Sequence, residues 1–257
     1  LAITTALTLR AVFRLPLRQT AGLIGSIIRL LGLDLAVPDH STLSRRAETL
    51  QVPRPRSSRE PVHLLVDSTG LKLCGPGERL VEKHGARTRR SWRKLHLGVD
   101  ADTGEIMAVG LTDNDDDDGG EVGPLLDQVT RPVVSFIGDG AFDRDDVYDE
   151  VAERHPDAAV IVPPRSSGVL SETAETAPTQ RDRHLQFIAE RGRMAWQKAS
   201  GYNWRALVEA DVSRYKRVIG DTLRSRTDAR RATEVGIAVR ALNRMLKLGR
   251  PESVRIS

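Results

Sequence analysis

A single cysteine, Cys74, stands in a chain of 257 residues. One thiol excludes an intramolecular disulfide and any cysteine-rich zinc site. No stretch reaches the roughly 18 apolar residues that a membrane span requires, so no membrane partner is expected. The apolar run at the start is not a secretory signal, because Arg10, Arg14 and Arg18 interrupt it and no small-residue cleavage site follows. These absences fit a cytoplasmic protein. The sequence begins at Leu1, inside what reads as a helix, and a missing N-terminal portion is expected. Hydrophobic residues make up 39% of the chain, enough for a packed core in one large domain or two smaller ones.

The formal net charge of +4 conceals a segregation along the chain. Residues 1–60 carry 9 basic and 4 acidic side chains, and residues 61–110 carry 8 and 6. Residues 111–160 carry 3 and 15, and residues 161–257 carry 19 and 10. Basic flanks around an acidic centre point to a polyanion held near a cation-binding middle. A mixed, solvated surface is the plainer alternative for any one of these runs.

Residues 1–50 read as helical. Leu23, Ile24, Ile27, Ile28, Leu30 and Leu31 recur at helical spacing. Gly32 ends that helix, and Asp39, Ser41 or Thr42 caps a short one running to Leu50. With Ser44, Arg45 and Arg46 on the second helix, the pair resembles a helix-turn-helix, although a plain helical bundle fits as well. Residues 51–61, rich in Pro, Arg and Ser, read as a linker.

Strand patterns follow. His63–Asp67, Lys94–Asp100, Ile106–Thr112, Val133–Gly138 and Ala158–Val162 are short apolar or alternating runs. Ala101–Gly104 is a hairpin turn signal between the second and third. Helices are expected near 121–129 and over 143–154, the latter turning Val147 and Val151 inward. Residues 164–182 read as a polar loop. From about 183 helix dominates to 247, with Ala232, Val235, Val239, Leu242 and Leu246 of its last segment at core spacing.

Three carboxylates stand out. Asp67 ends the first strand in LLVDSTGLK, and Asp139 follows another in FIGDGAFD. Strand ends are where open α/β sheets hold ligands. Read singly, each is as well explained as a turn or cap residue, and Asp143 suits capping of the following helix better than Asp139 does. Glu209 follows Arg205 by four residues, so the two share a helix face, with Tyr202 one turn earlier and Lys216 two turns later. On its own that face is a surface ion pair.

Together these residues are recognisable. Tyr202, Arg205, Glu209 and Lys216 meet the Tyr-x2-Arg-x3-Glu-x6-Lys signature, and the chain resembles insertion-sequence transposases of the IS4 and IS5 type. LLVDSTGLK, RKLHLGVDADTGEI and GDGAFD are similar to IS5-type blocks. The resemblance implies an RNase H-like α/β catalytic domain over 62–249, a mixed sheet with flanking helices, which is also how the order of elements above runs. A small helix-turn-helix-like domain over 1–50 precedes it, the linker 51–61 joins them, and 250–257 is a tail.

The resemblance also implies a triad of Asp67, Asp139 and Glu209 that holds Mg²⁺, with Mn²⁺ able to substitute. Hard divalent cations take oxygen ligands, and no His/Cys cluster suggests zinc. Arg205 and Lys216 would contact transposon-end phosphates and Tyr202 the DNA near the cut. The implied partners are double-stranded DNA, as terminal inverted repeats and target, and a second copy during synapsis.

From the residues themselves, Arg45 and Arg46 are candidate DNA contacts of the second helix in the major groove, and the run containing Arg89, Arg90, Arg93 and Lys94 reads as a DNA-backbone track, for which a solvated hairpin flank is equally open. Trp204 and Trp196 are candidates to stack on an unpaired base, with at least one of them expected in the core. The acidic run Asp113–Asp118 lacks calcium-loop spacing and reads as solvated. His84 and His96 read as structural or DNA-facing. Two other functions stay open at this stage: a transposase-derived DNA-binding protein without catalysis, and a simple RNase H-like nuclease.

Overall fold

The strand that begins at Val62 runs on past Asp67 to Leu73, more than twice the expected length. The computed structural model describes residues 2–52, 60–73 and 92–249. Cys74, His84, Arg89, Arg90, most of the linker and the tail lie outside the described residues.

In order, the elements are α1 (Ala2–Val12), α2 (Leu17–Leu30), α3 (His40–Thr49), β1 (Val62–Leu73), β2 (Trp92–Asp100), β3 (Ile106–Asp113), α4 (Val122–Leu126), β4 (Val133–Ile137), α5 (Asp145–Arg154), β5 (Ala159–Ile161), α6 (Gln180–Arg191), α7 (Arg193–Ser200), α8 (Arg205–Val218), β6 (Thr222–Leu223) and α9 (Asp228–Lys247). The strands form one sheet in the order β3-β2-β1-β4-β5, with β6 paired to β1. β1 runs parallel to β4, and β4 parallel to β5. Parallel neighbours need a crossover, and α5 supplies the one between β4 and β5. β2 and β3 are joined by the turn read in the sequence, where the Asp100 N–H donates to the Glu105 carbonyl at 3.0 Å. This is the mixed α/β sheet with flanking helices of an RNase H-like fold.

The described chain divides into two compact units. One comprises Leu1–Pro55, Gly70–Lys94 and Ser213–Ser257, the other Arg56–Thr69 and Leu95–Val212. In the second unit, side chains alternate across β1. Val62, Leu64 and Val66 face a core made with Val122, Leu125 and Leu126 of α4, Val147 and Val151 of α5, Phe136 and Val160. His63, Leu65 and Asp67 are left on the other face. At one end of this unit, Arg131 donates to the Glu60 and Pro61 carbonyls and to Asp100 Oδ2 at 3.0 Å, and both charged side chains are buried. Removing one member leaves an uncompensated buried charge, so Arg131→Met is expected to cost about 3–5 kcal/mol in a urea unfolding titration. A loss under 1 kcal/mol would show the pair to be dispensable.

The helical stretch after 183 is broken into pieces. Gly192, Gly201 and Gly220 adopt positive φ between them, a region other residues enter at a cost. Helix also starts earlier than expected, at Gln180. Thr179 and Asp182 form a reciprocal capping box, a spacing visible in the sequence but hidden in a run that reads as loop. Asp182 is buried there and takes hydrogen bonds from Ser171 and Thr179, which hold its carboxyl well below the ordinary range.

In the first unit, Leu7 of α1, Ala47 of α3 and Ile237 of α9 make the core, with Ile3, Ala11, Leu17, Leu50 and Val52 against it. Asp39 caps α3, accepting from the Ser41 N–H at 3.1 Å. In α9, Val235, Val239 and Leu242 are buried as expected, whereas Ala232 is exposed and Ile237, Ala238 and Ala241 are buried instead. The apolar side of α2 is less covered than its periodicity suggests, since Ile27, Leu30 and Leu31 are exposed. Among the described residues no helix is long and apolar enough to cross a membrane.

Candidate functional site

The parallel register of β1 and β4 sets the geometry. His63 lies opposite Ser135 and Leu65 opposite Ile137. Two residues further along each chain are Asp67 and Asp139. With a period of two, both belong to the face away from the α4 and α5 core. His63 Nδ1 lies 2.8 Å from Ser135 Oγ across the same two strands.

Gly138 makes the turn out of β4 possible. A Cβ there would fall 2.7 Å from the ring of Phe142, which is buried and packs edge-on against Phe136. Asp139 then caps a short 3-10 turn by accepting from the Ala141 N–H at 2.8 Å. Asp143 does not cap the next helix, contrary to expectation, because that helix begins at Asp145 without a side-chain cap. Buried Asp143 instead accepts from the Arg165 N–H at 2.8 Å and from Arg181 Nε at 2.7 Å, fastening the segment after β5 and the start of α6.

The third carboxylate comes from α8. Val208 points inward and is fully buried, which turns Arg205 and Glu209 to the same side. The Arg205 guanidinium meets all three acids. Its Nη2 is 3.4 Å from Asp67 Oδ1 and 3.4 Å from Asp139 Oδ2, and its Nη1 donates to Glu209 Oε1. Side-chain exposure rises from 14% at Asp67 through 36% at Asp139 to 57% at Glu209. The cluster is therefore dry at the sheet and wet at the helix. Burial pushes the Asp67 carboxyl above its ordinary range, and the charges of Asp139 and Glu209 push it further, while Arg205 pulls it down.

An acid whose folded pKa is raised favours the fold below that pKa and loses this contribution as pH rises through it. Ionised Asp67 thus costs stability at neutral pH. Asp67→Asn is expected to melt at least as high as the parent in chelator at pH 7–8. A fall of several degrees would mean that the charge pairs more than it repels.

Among the described residues, no three His, Cys, Asp or Glu side chains stand grouped as a ready metal cage. The three acids meet on a cation of the protein's own. Their donor chemistry nonetheless fits a hard divalent ion: three carboxylates, no sulfur or imidazole, and mutual repulsion that raises the innermost acid.

Tyr202 is held from behind. Its ring lies 5.4 Å from that of Trp196, which is buried. Trp196 Nε1 donates to His184 Nδ1 at 2.8 Å. Indole only donates, so Nδ1 accepts and the His184 proton sits on Nε2, directed at the Val160 carbonyl 2.8 Å away. Burial lowers the His184 pKa, in keeping with this neutral tautomer. Trp196 is thus a core residue, while Trp204 is exposed and its ring stands nearly perpendicular to that of His63, centroids 5.0 Å apart.

The other expected contacts lie in the first unit. Arg45 and Arg46 occupy the exposed side of α3, with Leu43 and Ala47 buried beneath. Lys216 is half-buried in the last turn of α8, and Lys94 is half-buried in β2. Arg93 Nη2 is 3.2 Å from Asp228. His96 is structural: it is buried and bonded to Thr112 at 2.8 Å. The acidic run is exposed over residues 113–117, as expected, with Asp117 pairing with Arg144 at the surface; half-buried Asp118 lies 3.8 Å from His96. Sequence reasoning passed over His184 and Arg181 and gave Asp143 only a capping role; all three are remote in the chain from what they hold. The Thr179/Asp182 capping spacing beside Arg181 is the local signal that could have marked that region.

Residues 58–244 match a family model described as "Transposase DDE domain", and residues 1–76 match a second model of the same description. Members of this family act on DNA and generally use divalent metal ions.

Proposed function

The chain belongs to the DDE transposase family, and from that premise we propose that it is an insertion-sequence transposase of the IS5 type, cutting element ends and joining their 3′-OH to target DNA. Support comes chiefly from the meeting of Asp67, Asp139 and Glu209, from β1, the end of β4 and α8, at one guanidinium. In this reading those three carboxylates hold Mg²⁺, or Mn²⁺ in its place. When bound, the ions lower the pKa of a water and stabilise the leaving oxygen.

The remaining work falls to side chains. Asp67 and Asp139 are fixed by strand register, so the inner half of the site is rigid. Glu209 is exposed on a helix and completes the set from the solvent side. Arg205 turns from the acids to a phosphate, where its fork of donors suits two oxygens at once. Lys216 adds a point charge to the backbone, and Tyr202, braced by Trp196, packs beside the cut. Hydrolysis breaks one P–O bond and leaves a 3′-OH and a 5′-phosphate. In strand transfer the 3′-OH loses its proton, forms a bond to a target phosphorus and displaces the target's own 3′ oxygen, which takes up a proton. No covalent enzyme intermediate is needed. The protein works in the cytoplasm, and synapsis of two ends brings two copies together on the DNA.

The test uses labelled duplexes carrying the element's terminal inverted repeats with the purified chain. Nicking and strand transfer in Mg²⁺ are expected. Binding of ends without cleavage in Mg²⁺ or Mn²⁺ overturns the enzyme reading in favour of a catalytically silent DNA-binding protein. Cleavage without joining overturns transposition in favour of a nuclease.

A further inference from the structure

Apart from the carboxylate site, the first unit contains a cleft of about 640 Å³ with an unusual lining. Six arginines face it: Arg10, Arg18, Arg45, Arg224, Arg226 and Arg230. Ser41 and Ser44 of α3 add hydroxyls, and among the described residues no carboxylate lines it. These residues come from positions 10–47 and 224–230, so no sequence window shows them together.

Arg18 lies at the rim, its Nε 3.4 Å from His40 Nε2, and the other five arginines fall into two groups. Arg10 and Arg230 are spoken for: Arg10 is 3.7 Å from Glu234, and Arg230 donates to Glu48 at 2.7 Å. Arg45, Arg224 and Arg226 are exposed and make no ion pair among the described residues. Their backbone is nonetheless held. Both oxygens of Glu234 accept from the N–H groups of Arg224 and Ser225, at 3.0 and 2.8 Å. Arg231 Nε donates to the Ser225 carbonyl at 3.1 Å, and Arg10 reaches Ser225 Oγ at 3.4 Å. A segment anchored by its main chain while its guanidinium groups stay in water is built for an anion. Uncompensated arginines gathered on one surface repel one another, and phosphates relieve that.

We propose that this cleft binds the phosphate backbone of duplex DNA, with Arg45, Arg224 and Arg226 as the contacts and Arg10, Arg230 and Glu234 as the frame. The identity of the ligand rests on the transposase reading, and the anion chemistry rests on the cleft. Arg45 then grips phosphate rather than reading a base, which distinguishes the cleft from a recognition helix lying alone in a groove.

The experiment measures duplex binding by fluorescence anisotropy in EDTA between 50 and 200 mM salt, for the parent and for the triple variant Arg45→Gln, Arg224→Gln, Arg226→Gln. Each lost phosphate contact lowers the slope of log K against log salt by about 0.9. Over this range the parent's affinity should therefore fall roughly 40-fold more than the variant's. Terminal-repeat and unrelated duplexes should weaken by the same factor. An unchanged slope overturns the proposal, as does a loss confined to the terminal repeat. Inorganic pyrophosphate that displaces the duplex at micromolar concentration would make the cleft a small-anion pocket and equally overturn it. Should the variant fail to fold, phenylglyoxal modification of the parent decides: duplex must protect Arg45, Arg224 and Arg226. Because no step requires cleavage, a protein that binds through the cleft but never nicks in Mg²⁺ refutes the enzyme reading alone.

Discussion

Asp139→Asn is expected to abolish Mg²⁺-dependent nicking of terminal-repeat DNA while leaving duplex binding in EDTA intact. The reason is positional. Asp139 leaves the end of β4 where the strand register sets it beside Asp67, and only 36% of its side chain is exposed. Losing a partner behind a metal ligand costs roughly 10–100-fold, so loss of a ligand itself should exceed that. Asp67→Asn should match it in activity while not lowering the melting temperature in chelator, a combination that separates loss of chemistry from loss of fold. Glu209→Gln should fall less steeply in Mn²⁺ than in Mg²⁺, because its carboxylate is the most exposed of the three and a less demanding ion tolerates a weaker third ligand. The readout is single-turnover nicking on a gel. If Asp139→Asn keeps a tenth of the parental rate, the triad assignment fails.

Arg205→Gln is the second large effect, and it should appear in two unlike measurements. In chelator the parent carries its own counter-cation, the guanidinium that meets Asp67, Asp139 and Glu209. Without it three like charges face one another, with Asp67 nearly buried. Breaking a buried pair costs about 3–5 kcal/mol. Solvent reaches Glu209 and part of Asp139, so about 1–2 kcal/mol is the better figure here, a fall of roughly 2–8 °C in chelator. Adding Mg²⁺ should return most of that to the variant and little to the parent. The measurement is a pair of thermal melts with and without the ion. In the second measurement, end-DNA nicking in saturating Mg²⁺, the variant should remain impaired, because the phosphate contact is missing as well. Arg205→Lys should restore the melting temperature more than the nicking, since a point charge neutralises acids but does not fork onto a phosphate. Equal melts for parent and variant in chelator would show that the guanidinium does not balance the acids.

The pattern of these effects shows what each level of description carries. The strands β2, β3, β4 and β5 were legible because apolar alternation and turn residues are local signals. So was α3, whose cap Asp39 precedes it in the chain. Asp67, Asp139 and Glu209 could be named from their motif blocks, and the i,i+4 spacing placed Arg205 beside Glu209. Local spacing, however, made that pair a surface ion pair. Only the parallel register of β1 with β4, and the burial of Val208 that rotates α8, made Arg205 the common neighbour of all three acids. Register is a relation between distant segments and leaves no trace in either one.

Capping followed the same division. The preference for Asp143 over Asp139 was sound as local chemistry, and tertiary contacts reversed it, because Arg165 and Arg181 claimed the Asp143 carboxylate. Trp196 and Trp204 could not be told apart by type, and burial separated them. By itself, then, the sequence determined most element types, through periodicity and turn chemistry, and carried the family signature whose resemblance singled out the three acids. The tertiary structure decided which charges meet: three acids on Arg205, and six arginines from two remote stretches around one cleft. Electrostatic attraction and repulsion depend on distance in space, and chain separation does not report that distance.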